Sequence, residues 1–224
     1  MSYRQGWLRF SYPSRARYPV QGIDVSHHQG PIDWAAVAAH GVGFAFIKST
    51  EGEDHADSRF AENWPAATEA GVPWGPYHFF TFCTPGASQA AHFFATAGAA
   101  PRQLPPAVDV EFAGNCRSWS DLGAVRRELA DFLERVEGDF GERPLLYVTR
   151  RAQRELLGEH FPDHPRWPRS LLREPPTKLF GPWSFWQFAD NARLPGIRGP
   201  VDLNAYCCET ARFPRTKATA TPQR

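Results

Sequence analysis

Long apolar stretches are missing from this sequence. The longest runs, such as Val42–Ile47 and the segment around Phe79 and Phe80, fall far short of the roughly 20 residues that a membrane span needs, so the chain as given does not cross a bilayer. An excess of charge is missing too. Lys and Arg number 25 against 24 Asp and Glu, a formal net charge of +1, which leaves no basic field for a polyanion, and nucleic acid is not expected as a partner. Cysteine is scarce. Cys83, Cys116, Cys207 and Cys208 are too few and too irregularly spaced for a zinc ribbon or a disulfide-built miniprotein. The first twenty residues scatter Arg4, Arg9, Arg15 and Arg17 and lack the apolar core of a signal peptide. Gly41 and Gly43 fit neither GxGxxG nor a Walker loop, and no GxSxG elbow or HExxH occurs. No cofactor is expected.

Aromatic residues are plentiful instead, at 14% of the chain with eight Trp, alongside 21 Pro. Trp and Tyr fill cores, and they are also what sugar rings stack on. A length of 224 residues suits one α/β domain that buries about three quarters of its unfolded surface.

Short β-type runs alternate with helical patterns through the first two thirds of the chain. Strands are expected at 22–26, 42–49, 74–80, 106–112 and 144–149. Helices are expected at 33–39, over Phe60, Trp64 and Ala67, after Ser88 with Ala91, Phe94 and Ala95 on one side, at 122–136, and near 151–157. Pro65 should kink or shorten the second helix. Ser120 can cap the fourth, and Gly138 follows its last turn. Beyond residue 157 prolines punctuate the chain, leaving strand segments near 169–172, 185–188 and 201–204. Five strand–helix units and three helix-poor strands add up to a reduced, closed parallel-type barrel of about eight strands, with an open doubly wound sheet as the alternative.

Strand alternation decides which side chains face inward. In AVDVEF, Val108, Val110 and Phe112 share one face, which leaves Asp109 and Glu111 on the other. The same logic turns Asp24 inward in GIDVS, and Asp202 and Asn204 inward in VDLN. Unpaired buried carboxylates cost several kcal/mol, so such a cluster persists with partners, shared protons or a catalytic task. Lys48, on the face of Phe44 and Phe46, is one available partner. Crowded acids raise one another's pKa, and Glu111, on the longer stem at the strand end, is the candidate general acid. A metal site on His27, His28, His78 and His92 is disfavoured, because adjacent histidines on an extended segment point apart; supporting roles fit them better.

The segments GIDVSHHQGPIDW, FAFIKSTEG, GVPWGPYHFF, AVDVEF and WQFADNARLPGIRGPVDLNAY together resemble the muramidases of glycoside hydrolase family 25. The resemblance implies a modified TIM-type (β/α)5β3 barrel spanning residues 20–210; an N-terminal extension at 1–19 and a disordered tail at 211–224, which match nothing in the family, are expected around it. It implies hydrolysis of the β-1,4 bond between N-acetylmuramic acid and N-acetylglucosamine in peptidoglycan, outside the cytoplasm, by a monomer. Glu111 would be the catalytic acid and Asp109 its assistant, with Asp24 and Asp202 completing the acidic cluster. Tyr77, Tyr147, Trp186 and Gln187 would bind substrate. The segment RWPRSLLREPP departs from the family's Leu-Trp-Ile/Val-Ala form, and Trp167 is the aromatic nearest to that role. A non-catalytic peptidoglycan-binding module and a chitin-type hydrolase are the alternatives. The intact Asp109/Glu111 pair argues against the first, and Leu104 and Ala107, where a DxxDxDxE run would need Asp, argue against the second.

Cys83 and Cys116 follow neighbouring strands at the same barrel end, within reach of a disulfide. Cys207 and Cys208 are expected to stay reduced or partly buried.

Overall fold

Alternate positions on each strand turn either to a shell of helices or to the lumen of a barrel. The computed structural model describes residues 10–119, 121–208 and 213. In chain order the elements are β1 (Gln21–Val25), α1 (Trp34–Ala39), β2 (Ala45–Glu51), β3 (His55–Ala56), α2 (Phe60–Glu69), β4 (Trp74–Phe79) and α3 (Gly86–Ala97). They continue with β5 (Ala107–Val110), α4 (Leu122–Phe140), β6 (Leu145–Val148), α5 (Arg150–Ala152, running on into a π-turn to Leu157), β7 (Arg166–Pro168), α6 (Thr177–Phe180), β8 (Phe185–Ala192) and β9 (Val201–Tyr206). The sheet order is β7-β6-β5-β4-β2-β1-β9-β8, with β3 pinned on the end of β2. Bridges Arg166–Trp183 and Arg169–Gln187 nearly close the eight strands. The expected α/β plan of five strand–helix units and three further strands is present.

One strand runs against the rest of the barrel. β9 is antiparallel to both β1 and β8, where an all-parallel barrel was expected. The reversal brings Asp202, the second residue of β9, directly opposite Asp24 near the end of β1. The β8–β9 connection turns through Gly196, whose φ of 89° favours glycine. Any Cβ there would also lie 2.5 Å from the Asp33 carbonyl oxygen at the start of α1.

The core has two layers. Outside the sheet, Ile23, Val25, Val108 and Val110 pack with Val125, Leu129, Phe132, Leu133 and Val136 of α4. Inside, Phe44, Phe46, Ala107, Leu145, Trp167 and Phe185 fill the lumen. Phe213 packs on Phe44 and Tyr206 at centroid distances of 5.6 and 5.0 Å, so this residue of the expected disordered tail is ordered. Residues 216–224 lie outside the described residues. Of the expected N-terminal extension, residues 10–19 lie on the barrel wall, with Tyr18 stacked against Trp183 and Trp186.

Several local expectations need correction. Pro65 neither ends nor shortens α2; the carbonyl it leaves unpaired, that of Ala61, is on the exposed side, where water can serve it. α3 begins at Gly86, before Ser88, and buries Gln89, Ala90, Phe93 and Ala97 while Ala91, Phe94 and Ala95 face out. This helix is apolar nearly all round, so periodicity could not choose its buried side. α4 ends at Gly141, in the left-handed conformation, with Gly138 still helical. Its N-cap is Asp121, which accepts from the Ala124 N–H; Ser120 lies outside the described residues. The sixth barrel strand is 166–168, not 169–172, because Pro168 occupies the end of the strand instead of preceding it.

Candidate active site

The inward residues gather where the parallel strands end. Asp24, Lys48, Tyr77, Asp109, Tyr147 and Gln187 line one cleft of about 520 Å³, together with Glu111, Asp202 and Trp167. β5 supplies Asp109 from its inward face, and Glu111 follows one residue beyond its end. β1 and the reversed β9 deliver Asp24 and Asp202 side by side.

Gln187 organises the deep end. Its Nε2 donates to Asp24 Oδ2 and to Asp202 Oδ2, both at 3.0 Å, while its Oε1 accepts from the Tyr147 hydroxyl at 2.9 Å. Asn204 Nδ2 donates to Asp24 Oδ2 at 2.7 Å, and its Oδ1 accepts from Trp167 Nε1 at 2.7 Å. Asp24 thus has donors from two strands, yet burial still raises its pKa. Asp202 is held well above the usual carboxylate range by burial, then by the charge of Asp24, which stands directly opposite it across the β1–β9 pair.

Asp109 and Glu111 are the second pair. Burial, followed by the charges of Glu111 and Asp24, pushes Asp109 well up; Lys48 works in the opposite direction. Burial also raises Glu111, against the pull of Arg169. The two acids therefore retain protons at a pH where free carboxyls have lost them. One oxygen of Asp109, Oδ1, is buried without a hydrogen-bond partner. A buried acceptor left unsatisfied in this way is costly, and Asp109 is among the residues that line the cleft. Lys48 is engaged by Glu51 at 2.6 Å, and Arg169 by Asp190 at 2.6 Å.

Of the proposed site residues, Trp186 stands apart. Adjacent to Gln187 on β8, it points to the opposite face, packs on Tyr18 and Phe188, and donates Nε1–H to the Ser170 carbonyl at 2.8 Å. The four histidines do not gather at one point, but His27 and His28 sit on a short 3-10 turn, not an extended segment, and their rings lie 4.0 Å apart instead of pointing away from each other. His27 binds Asp57 at 2.7 Å, and His28 lies at the cleft rim. His78 is fully buried between Thr50 and Gln89, where burial lowers its pKa to about 3. Asn204 and Arg169 acquire roles that the sequence reading did not name. Asn204 was legible as inward-facing, whereas Arg169 was hidden by the misplaced sixth strand.

The disulfide Cys83–Cys116 joins the segments after β4 and β5, with Cα atoms 6.3 Å apart, as expected. Cys207 and Cys208 are also joined to one another, contrary to expectation; their adjacency in sequence concealed that pairing.

Known proteins resemble this chain over most of its length. The model of the glycosyl hydrolases family 25 matches residues 23–197. The uncharacterized protein YegX of Escherichia coli (strain K12) is 34% identical over 196 residues, 85% of this chain and 71% of that one. Lysozyme M1 of Streptomyces globisporus is 33% identical over 205 residues, 87% of this chain and 70% of its own. The solved structure of a family 25 glycosyl hydrolase from Bacillus anthracis superposes with a TM-score of 0.85 at 32% identity, covering 92% of this chain and 96% of that one. On the family match and these relatives together, the chain belongs to glycosyl hydrolase family 25.

Proposed function

We propose that this chain is an N-acetylmuramidase, which hydrolyses the β-1,4 bond between N-acetylmuramic acid and N-acetylglucosamine in peptidoglycan. The observation that carries the reading is the meeting of four carboxyls from three strands at one barrel rim, with Glu111 at its mouth, in a chain of this family. Lysozyme M1, which this chain matches over 70% of that protein's length, bears the matching activity in its name. Peptidoglycan lies outside the cytoplasmic membrane, and the enzyme acts there. The whole cleft is built from one chain, so a monomer suffices.

Glu111 keeps a proton because its site is desolvated, and it delivers that proton to the glycosidic oxygen as the bond breaks. Asp109 shares a strand face with it, and an i, i+2 pair spans only about 7 Å between Cα atoms. Two carboxyls so placed cannot flank a sugar ring from opposite sides. Asp109 instead orients the substrate's 2-acetamido group by accepting its N–H; the acetamido oxygen attacks the anomeric carbon as Glu111 protonates the departing glycosidic oxygen, and water then opens the resulting oxazolinium. Such substrate assistance retains the anomeric configuration without a glycosyl ester. NMR of the first-formed product should show the β-anomer; an inverted product, or a trapped ester on Asp24, Asp109 or Asp202, contradicts it.

The acid itself is tested by Glu111→Gln, which keeps size and removes the transferable proton. Clearing of a bacterial cell-wall suspension should slow by roughly 10²–10⁴-fold while the circular dichroism spectrum is retained. A folded variant with most of its activity would remove Glu111 from the role.

A further inference from the structure

A second groove adjoins the catalytic cleft and has the opposite charge. It encloses about 620 Å³ and is lined by Arg150, Arg169 and Arg173 together with Phe10, Leu171 and Leu172, with no acidic residue among its walls. Arg150 follows β6 and Arg169 follows β7, so the groove opens at the same strand-end rim as the acids. Arg169 links the two spaces: its side chain walls the groove, and its guanidinium binds Asp190, which lines the cleft.

The groove is built rather than incidental. The Arg169 N–H donates to the Val148 carbonyl at 2.9 Å and the Ser170 N–H to the Gln187 carbonyl at 3.0 Å. Trp186 Nε1–H holds the Ser170 carbonyl at 2.8 Å, and the Ser170 hydroxyl donates to the Arg173 carbonyl at 2.7 Å. The loop is thereby fastened to β6 and β8. Among the described residues, Arg150 and Arg173 have no carboxylate partner; the nearby Glu174 is taken by Arg17. Leu172 is exposed at 70%, offering apolar surface beside these guanidiniums.

We infer that this groove is a subsite for the anionic peptide stem that peptidoglycan carries on its muramic acid. The inference rests on the muramidase reading above and names a further part of the substrate. The stem leaves the sugar through a lactyl ether at O3, bears free carboxylates, and has small apolar side chains between them. A muramic acid seated over Glu111 would send it off the ring beside the cleft, where Arg169 marks the boundary. Neutral sugar meets the acidic cleft, and anionic peptide meets the basic groove. Arg150 and Arg173 hold the carboxylates, and Leu171, Leu172 and Phe10 cover the apolar side chains.

The test uses two soluble glycan preparations, one bearing its stems and one stripped of them by an amidase, with kcat/KM measured on each. Arg169 is left intact because it also faces Glu111. The Arg150→Gln/Arg173→Gln variant should lower the preference for stem-bearing over stripped glycan by roughly three- to tenfold, through KM rather than kcat, as expected for exposed guanidinium–carboxylate pairs. Raising the salt concentration should erode the wild-type preference in the same way. A variant that weakens both substrates equally or neither, or a preference indifferent to salt, overturns the subsite while leaving the muramidase intact. A wild-type enzyme that cleaves neither preparation overturns the muramidase reading, and the subsite with it.

Discussion

The buried, adjacent carboxyls of Asp24 and Asp202 make stability depend on pH at the level of single residues. Both groups have folded-state pKa values above the unfolded one. The unfolded chain therefore loses these protons first as pH rises past about 4, and the folded state is destabilised progressively from there up to the folded pKa. Asp202→Asn keeps a donor for Asp24 and removes the titration. Its melting temperature should exceed the wild type's by about 2–4 °C at pH 7, the shift that roughly 1 kcal/mol produces in a chain of this length. The gap should shrink as pH falls towards 4. A gap that ignores pH would show that Asp202 does not titrate above its unfolded value. The four acids were legible because alternation on short strands leaves little choice of face: Val108 and Val110 must reach the helices, so Asp109 cannot. The same rule separates Trp186 from Gln187, since strand neighbours face opposite ways. Trp186 supports the site from behind by holding Ser170.

Among the elements, α3 and α4 meet closely at Gly86. The first residue of α3, Gly86, donates its N–H to Glu128 Oε2 at 2.8 Å, and a Cβ at Gly86 would stand 1.8 Å from the Glu128 carbonyl oxygen. Gly86→Ala should therefore cost about 1–3 kcal/mol by overpacking, seen as a lower melting temperature, although alanine is the better helix former. An unchanged or raised melting temperature would mean that the two helices separate freely. Element type was read correctly wherever an apolar stripe had one solution, as on α4 with Val125, Leu129, Phe132, Leu133 and Val136. The buried face, though not the element type, was misread where the stripe was ambiguous, as on α3. Strand direction was not legible in VDLN, because alternation is the same read either way; Pro195-Gly196 was the one local hint of a reversal.

At the scale of the whole molecule, one reversed strand converts a barrel of parallel strands into an acid-lined cleft. Without the reversal of β9, Asp202 would lie at the far end of the lumen from Asp24, and Gln187 could not donate to both. The barrel plan was visible from five strand–helix units followed by proline-rich strands. Its closure was not, because β7 and β8 meet through only two bridges and no sequence pattern marks them. The central claim is a bond-specific hydrolysis, and mass spectrometry of the soluble fragments from digested peptidoglycan, reduced with borohydride to mark the new ends, tests it most directly. The account predicts N-acetylmuramic acid at the reducing ends. Reduced N-acetylglucosamine there, or no new reducing ends, would contradict it.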